Sequence, residues 1–114
     1  QKDERPPFTM FGWSEKDSEV AQENNKKRVS LYLELIEEWK SYNLAEKVKA
    51  VDLSDLKDVH AIVEKSRKSI EIRLGETNFG KRLQKGVETI AATDECIEYL
   101  ITSGDQIVKG PCSL

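Results

Sequence analysis

Apolar residues recur along this chain at spacings of three and four. Val29, Leu33, Ile36 and Tyr42 share one helical stripe, widened by Leu31 and Leu35. Ser14 or Ser18 provides a start signal for this segment. Asp17, three residues after Ser14, resembles the second half of a capping box. Asn43 is a stop signal. The stretch 22–28 is wholly polar and is expected to project into solvent. A second stripe, Leu56, Val59, Val63, Ile70 and Leu74 with Ile62 beside it, predicts a helix over 55–74. Ser54 would be its N-cap and Gly75 its left-handed C-terminal residue. A third stripe, Phe79, Leu83, Val87, Ile90, Ile97 and Ile101, is broken at Asp94, capped by Thr77 or Asn78, and ended by Gly104. Leu44, Val48 and Val51 suggest a short helix or turn between the first two.

These stripes predict an all-α fold: an up-down bundle of three long helices plus a short fourth, over residues 14–114. Only 103–108 reads as a candidate strand. Gly80 and Gly86 each weaken the third helix by about 1 kcal/mol relative to alanine, and permit close helix contact. Residues 1–13 form an irregular arm. Pro6-Pro7 favours extended backbone, and Phe8, Met10, Phe11 and Trp13 follow within six residues. Such an arm either packs across the bundle as a lid or offers a docking strip.

At 114 residues the chain has the length of one domain. It is 34% charged, as suits helices with solvated outer faces, and its net charge of −3 gives no global attraction to nucleic acid or anionic lipid. The charge is uneven, however. Between Lys65 and Lys85, seven basic residues face only Glu71 and Glu76. Lys65, Arg67, Lys68, Lys81, Arg82 and Lys85 are therefore the candidate anion site, for phosphate, nucleic acid or anionic lipid. Phe79 is the one aromatic residue there for base stacking, and it also fits the third stripe.

Candidate chemistry is sparse. His60 is the one histidine, and on a helix it would meet Glu64 at i+4. One histidine and two cysteines cannot complete a four-ligand zinc site or a di-iron bundle. The stretch from Gly75 through Gly80 to Lys81 reads G-x-x-x-x-G-K, but Arg82 stands where a phosphate loop needs Ser or Thr for magnesium. Asp94 interrupts an apolar stripe and is either solvated at its edge or a polar contact that fixes register. Cys96 and Cys112 are either a disulfide or two separate thiols. No enzyme, cofactor or metal is expected.

The leading expectation is a non-catalytic helical domain for protein–protein interaction or oligomerisation, part of a larger signalling or scaffold protein. Its contact residues are Phe8, Phe11, Trp13, Leu31, Leu35 and Trp39. The start at Gln1 and the apolar tail over 106–114 fit a domain cut from a longer chain, or one whose signal segment has been removed. The alternatives are the anion-binding module and a secreted helical effector or carrier of small apolar ligands, which predicts the disulfide. No run reaches transmembrane length. Localisation is left open, with the cytoplasm ahead of secretion.

Overall fold

Residues four apart lie on the same side of a helix, and equally on the same side of a strand. Val59 and Val63 are such a pair, and so are Ile70 and Leu74. The residues between them decide the matter: Val59, Ala61 and Val63 alternate with His60, Ile62 and Glu64, and Ile70, Ile72 and Leu74 alternate with Glu71 and Arg73. In the computed structural model, which describes residues 8–12, 14–15, 18–104 and 106–112, these segments are strands. The expected all-α bundle is therefore corrected to a mixed α/β fold.

The elements run β1 (Thr9–Phe11), α1 (Glu19–Ser41), a 3-10 turn (Ala45–Lys47), β2 (Val48–Asp52), β3 (Val59–Lys65), β4 (Lys68–Gly75), α2 (Phe79–Ala92), β5 (Ile97–Ile101) and β6 (Val108–Pro111). The six strands form one sheet in chain order, β1-β2-β3-β4-β5-β6. β1 pairs with β2, and β4 with β5, in parallel, so α1 and α2 serve as their crossovers. The remaining neighbours are antiparallel. The predicted 55–74 helix is the β3–β4 hairpin together with the loop before it. The predicted third helix is α2 followed by β5, and Asp94 lies in the link between them. The strand expected over 103–108 lies further on, as β6.

Both ends of α1 fit the sequence signals. Ser18 is its N-cap, accepting from the Ala21 amide, and Asn43 takes a left-handed backbone just beyond it. Asp17 lies outside the described residues. The buried stripe differs from the expected one: Ala21, Arg28, Leu35, Ile36 and Trp39 face inward, while Val29, Leu33 and Tyr42 are exposed. Arg28 thus does not project into solvent with its polar neighbours. Its Nε donates to Leu53 O at 2.8 Å and a terminal nitrogen donates to Ser54 O at 3.1 Å, so it clamps α1 to the chain leaving β2. The other terminal nitrogen donates to Asn25 Oδ1, which also accepts from the Ser14 amide.

One sheet face, formed by Val48, Val51, Val59, Ala61, Val63, Ile70, Ile72, Leu74, Ile97 and Leu100, is buried in a single core with Phe8, Leu35, Trp39 and Leu83. The two helices touch where α1 ends and α2 begins. Gly80 packs on the Tyr42 ring, its missing side chain leaving the space the ring fills, and its amide donates to Glu38 Oε2 at 2.6 Å. The far end of α2 is held by Lys65, whose Nζ donates to Ile90 O and Thr93 O, each at 2.6 Å.

The β3–β4 turn has two central residues, Ser66 and Arg67, with φ of +53° and +68°. Two positive φ values in a two-residue hairpin turn favour Asn-Gly, and an ordinary residue held there is strained by about 1–2 kcal/mol. Replacing Ser66→Asn and Arg67→Gly together is expected to raise the unfolding free energy in urea by about 1 kcal/mol. Arg28→Met, which strands two carbonyls in the same assay, is expected to lower it by about 2 kcal/mol. An unchanged midpoint for either variant would contradict the role assigned to those residues.

Candidate functional site

The second face of the sheet carries the residues that alternate with the core: His60, Ile62, Glu71, Arg73, Tyr99 and Ile101. Register places Glu71 beside Tyr99 and Arg73 beside Ile101, with Gly110 opposite Tyr99 on β6. All six are half-buried. Polar and aromatic groups on this face join into one run that crosses from the β2–β3 loop to the last strand.

The run begins at Asp58. Its Oδ1 accepts from the Gly75 amide at 3.2 Å, and its Oδ2 meets His60 Nε2 at 3.0 Å. His60 Nδ1 meets Glu71 Oε2 at 2.9 Å, and Glu71 Oε1 accepts from Arg73 Nε at 3.1 Å. The Arg73 guanidinium lies over the Tyr99 ring, 4.6 Å from its centroid. The Tyr99 ring in turn covers Gly110, filling the place a side chain there would take. Glycine has no side chain to pack in a strand, and an aromatic ring from the neighbouring strand supplies the cover.

Both imidazole nitrogens of His60 face carboxylates. Burial lowers its pKa. The hydrogen bond to Asp58, the charges of Glu71 and Asp58, and the hydrogen bond to Glu71 outweigh burial, so the net shift is upward from 6.5. The imidazole thus ties β3 to β4 through Glu71 and to the loop before β3 through Asp58, and both partners favour its protonated form. Its partners are not the Glu64 that a helix would have offered.

The predicted anion residues fall into two groups. Lys65, Arg67 and Lys68 lie at the β3–β4 turn, while Lys81, Arg82 and Lys85 lie on α2, which follows the opposite end of β4. Three of the six are already engaged within the protein: Lys65 caps α2, Arg82 donates to Leu74 O, and Lys68 donates to Cys96 Sγ. β4, buried on one face, leads into the G-x-x-x-x-G-K stretch. The Gly80 amide, however, is taken by Glu38, so a carboxylate occupies the donor a phosphate would need. Among the described residues no group of acidic, His or Cys side chains is arranged to hold a metal.

Of the predicted partner contacts, Phe8, Leu35 and Trp39 are core residues and Leu31 packs against the core. Phe11 is 45% exposed, and Trp13 lies outside the described residues. Cys96 and Cys112 form a disulfide between the residues flanking β5 and β6, with Cα atoms 5.4 Å apart. The sequence raised this bond only as an alternative. The cross-strand run escaped sequence reading because its members belong to separate strands; Glu71 alternating with Ile70 and Ile72 was the available signal.

No family model, curated protein or solved structure matches the chain.

Two outcomes follow from this geometry. His60 has a higher pKa folded than unfolded, so its contribution is fully present below pH 6.5 and is lost as pH rises through the folded value. Unfolding in urea at pH 5.5 and 8.5 is expected to show a fall in stability with rising pH that is smaller in His60→Gln; equal pH slopes would remove His60 from the account. Gly110→Ala, whose methyl would enter the Tyr99 ring, is expected to cost about 1–3 kcal/mol. Pairing with Tyr99→Ala should relieve most of that penalty in a double-mutant cycle.

Proposed function

We propose that this domain is a non-catalytic protein-binding module, and that it takes an extended segment of another polypeptide as an added strand on β6. The observation that carries this reading is the free edge of β6. Among the described residues β6 pairs with β5 alone, which leaves one side with backbone groups that a peptide strand can meet. That edge is held in shape by the disulfide beyond its end and by the Tyr99 ring over its centre. Val108, 49% exposed, offers an apolar contact beside it. Lys109 and Pro111 discourage pairing with further copies of the same edge while leaving the middle of the strand open. β1, at three residues, is the shorter of the two sheet edges.

The disulfide also supports an oxidising compartment, since such bonds persist mainly outside the cytosol. No helix of the described residues is long and apolar enough to cross a membrane. The anion-binding alternative has less support, because its basic residues divide between opposite ends of β4. The carrier alternative would use an open groove of about 610 Å³ lined by Val48, Val63, Val87 and Ile90, but charged Lys47, Lys49, Glu64 and Lys65 also line it.

The test is a selection of displayed peptides of ten to twelve residues against the domain. Binders should alternate β-branched and polar residues and should protect the Val108–Gly110 amides from hydrogen exchange. Along a strand, successive backbone N–H groups point to opposite sides. Of Val108→Pro and Lys109→Pro, one therefore removes an outward donor, and that variant should keep the fold and lose the peptide. Binders that protect other elements, or that tolerate both prolines, would remove this reading. A dimer protected at β6 in light scattering and exchange would identify a second copy as the occupant.

A further inference from the structure

Cys96 and Cys112 fix the strand that the proposed function uses, and the bond between them lies where a reductant can reach it. Cys96 is exposed and Cys112 is half-buried. Lys68, exposed at the start of β4, places its ammonium 3.3 Å from Cys96 Sγ. An open hollow of about 340 Å³ adjoins the bond on its Cys96 side, lined by Lys65, Ser66, Lys68, Ile70, Asp94 and Cys96 among others, and leaves room there for the departing sulfur. A buried structural disulfide has none of these features. Thiol–disulfide exchange needs access for an incoming thiolate and a stabilised leaving group, and a cation beside one sulfur supplies the second.

We propose that Cys96–Cys112 is a thiol–disulfide exchange site for a dithiol reductant, with Cys112 the sulfur attacked and Cys96 the sulfur released. The incoming thiolate bonds to Cys112 Sγ as the S–S bond breaks, and the electron pair leaves on Cys96 Sγ beside the Lys68 ammonium. The reductant's second thiolate then attacks its own sulfur in the mixed disulfide and releases the Cys112 thiolate. The reductant leaves as a cyclic disulfide, having supplied two electrons. Lys68 acts here on the departing sulfur itself, by stabilising its negative charge.

The bond joins the residue before β5 to the residue after β6, next to the Cys112 amide bonded to Cys96 O. Opening it leaves this end of β6 held by strand pairing alone, while Tyr99 over Gly110 still holds the middle. The last turn of β6 therefore loosens and the remainder of the sheet does not. That this changes partner binding rests on the docking reading above; the exchange chemistry does not.

The experiment follows thiol release from the whole folded chain by intact mass, with dithiothreitol as the probe and no denaturant. The wild type should open completely. Lys68→Met should open roughly fivefold more slowly at low salt, the size of a unit charge a few ångströms away in water. Lys68→Arg should restore the rate, and high salt should bring Lys68→Met and the wild type together. A bond that resists reduction until the chain is unfolded overturns the proposal, and so does an unchanged rate in Lys68→Met. Hydrogen exchange on the reduced protein and on Cys96→Ser/Cys112→Ser should quicken at the backbone amide of residue 112, which donates to Cys96 O in the oxidised protein, and stay constant in β3 and β4; an unaltered rate at that amide overturns the loosening. Neither readout involves a peptide. Peptides that fail to bind the oxidised domain would thus reject the docking reading alone.

Discussion

The Trp39 indole is the contact on which the arrangement depends. It is fully buried on α1, and two other parts of the chain meet it. Its Nε1 donates to Phe79 O, fixing where α2 begins, at 3.2 Å. The Phe8 ring, just before β1, packs on it with centroids 5.1 Å apart. Phe8 also meets the Tyr32 ring edge-on, and the Tyr32 hydroxyl donates to Phe8 O. Burial in this cluster pushes the Tyr32 pKa up, which keeps the hydroxyl protonated and donating. An indole buries a large apolar area yet needs a partner for its N–H, so one residue sets both packing and direction. Together with Glu38 on the Gly80 amide, it sets how α1 and α2, the two parallel crossovers, lie side by side.

The helices were legible and the strands were not. Ser18 and Asn43 marked both ends of α1 and Asn78 the start of α2, signals carried within a few residues, whereas the expected third helix ran on past Ala92 through β5. The strands contain Val59 and Val63, and Ile70 and Leu74, both pairs four apart, which serve either periodicity. What separates the two is Ala61 and Ile72, small or apolar residues at the intervening even positions. The hairpin turn did not declare itself, because Ser66-Arg67 lacks the glycine that positive φ ordinarily selects. Arg28 was misplaced for a different reason: a buried arginine is invisible to hydropathy until the carbonyls that receive it are known.

The candidate site was legible only as parts. His60 and the two cysteines drew notice, but their partners lie in other strands, and register is a property of the assembled sheet. Once the sheet is formed, alternate residues that do nothing for the core become neighbours across four strands. The face away from the helices is thereby more than a solvated surface. Its groups neutralise one another in sequence, carboxylate to imidazole to carboxylate to guanidinium, and the last step is an aromatic lid over a glycine in the outermost strand.

The strand order has a further consequence. Because the sheet follows the order of the chain, it can grow in one direction as the polypeptide is synthesised, each new strand finding its neighbour already made. The two cysteines belong to the end of this sequence. Their sulfurs are held within bonding reach once β6 has settled against β5, and β5 needs β4 and the crossover of α2 before it. The bond is thus a record written last. A ribosome-bound fragment that lacks Cys112 has no way to acquire it.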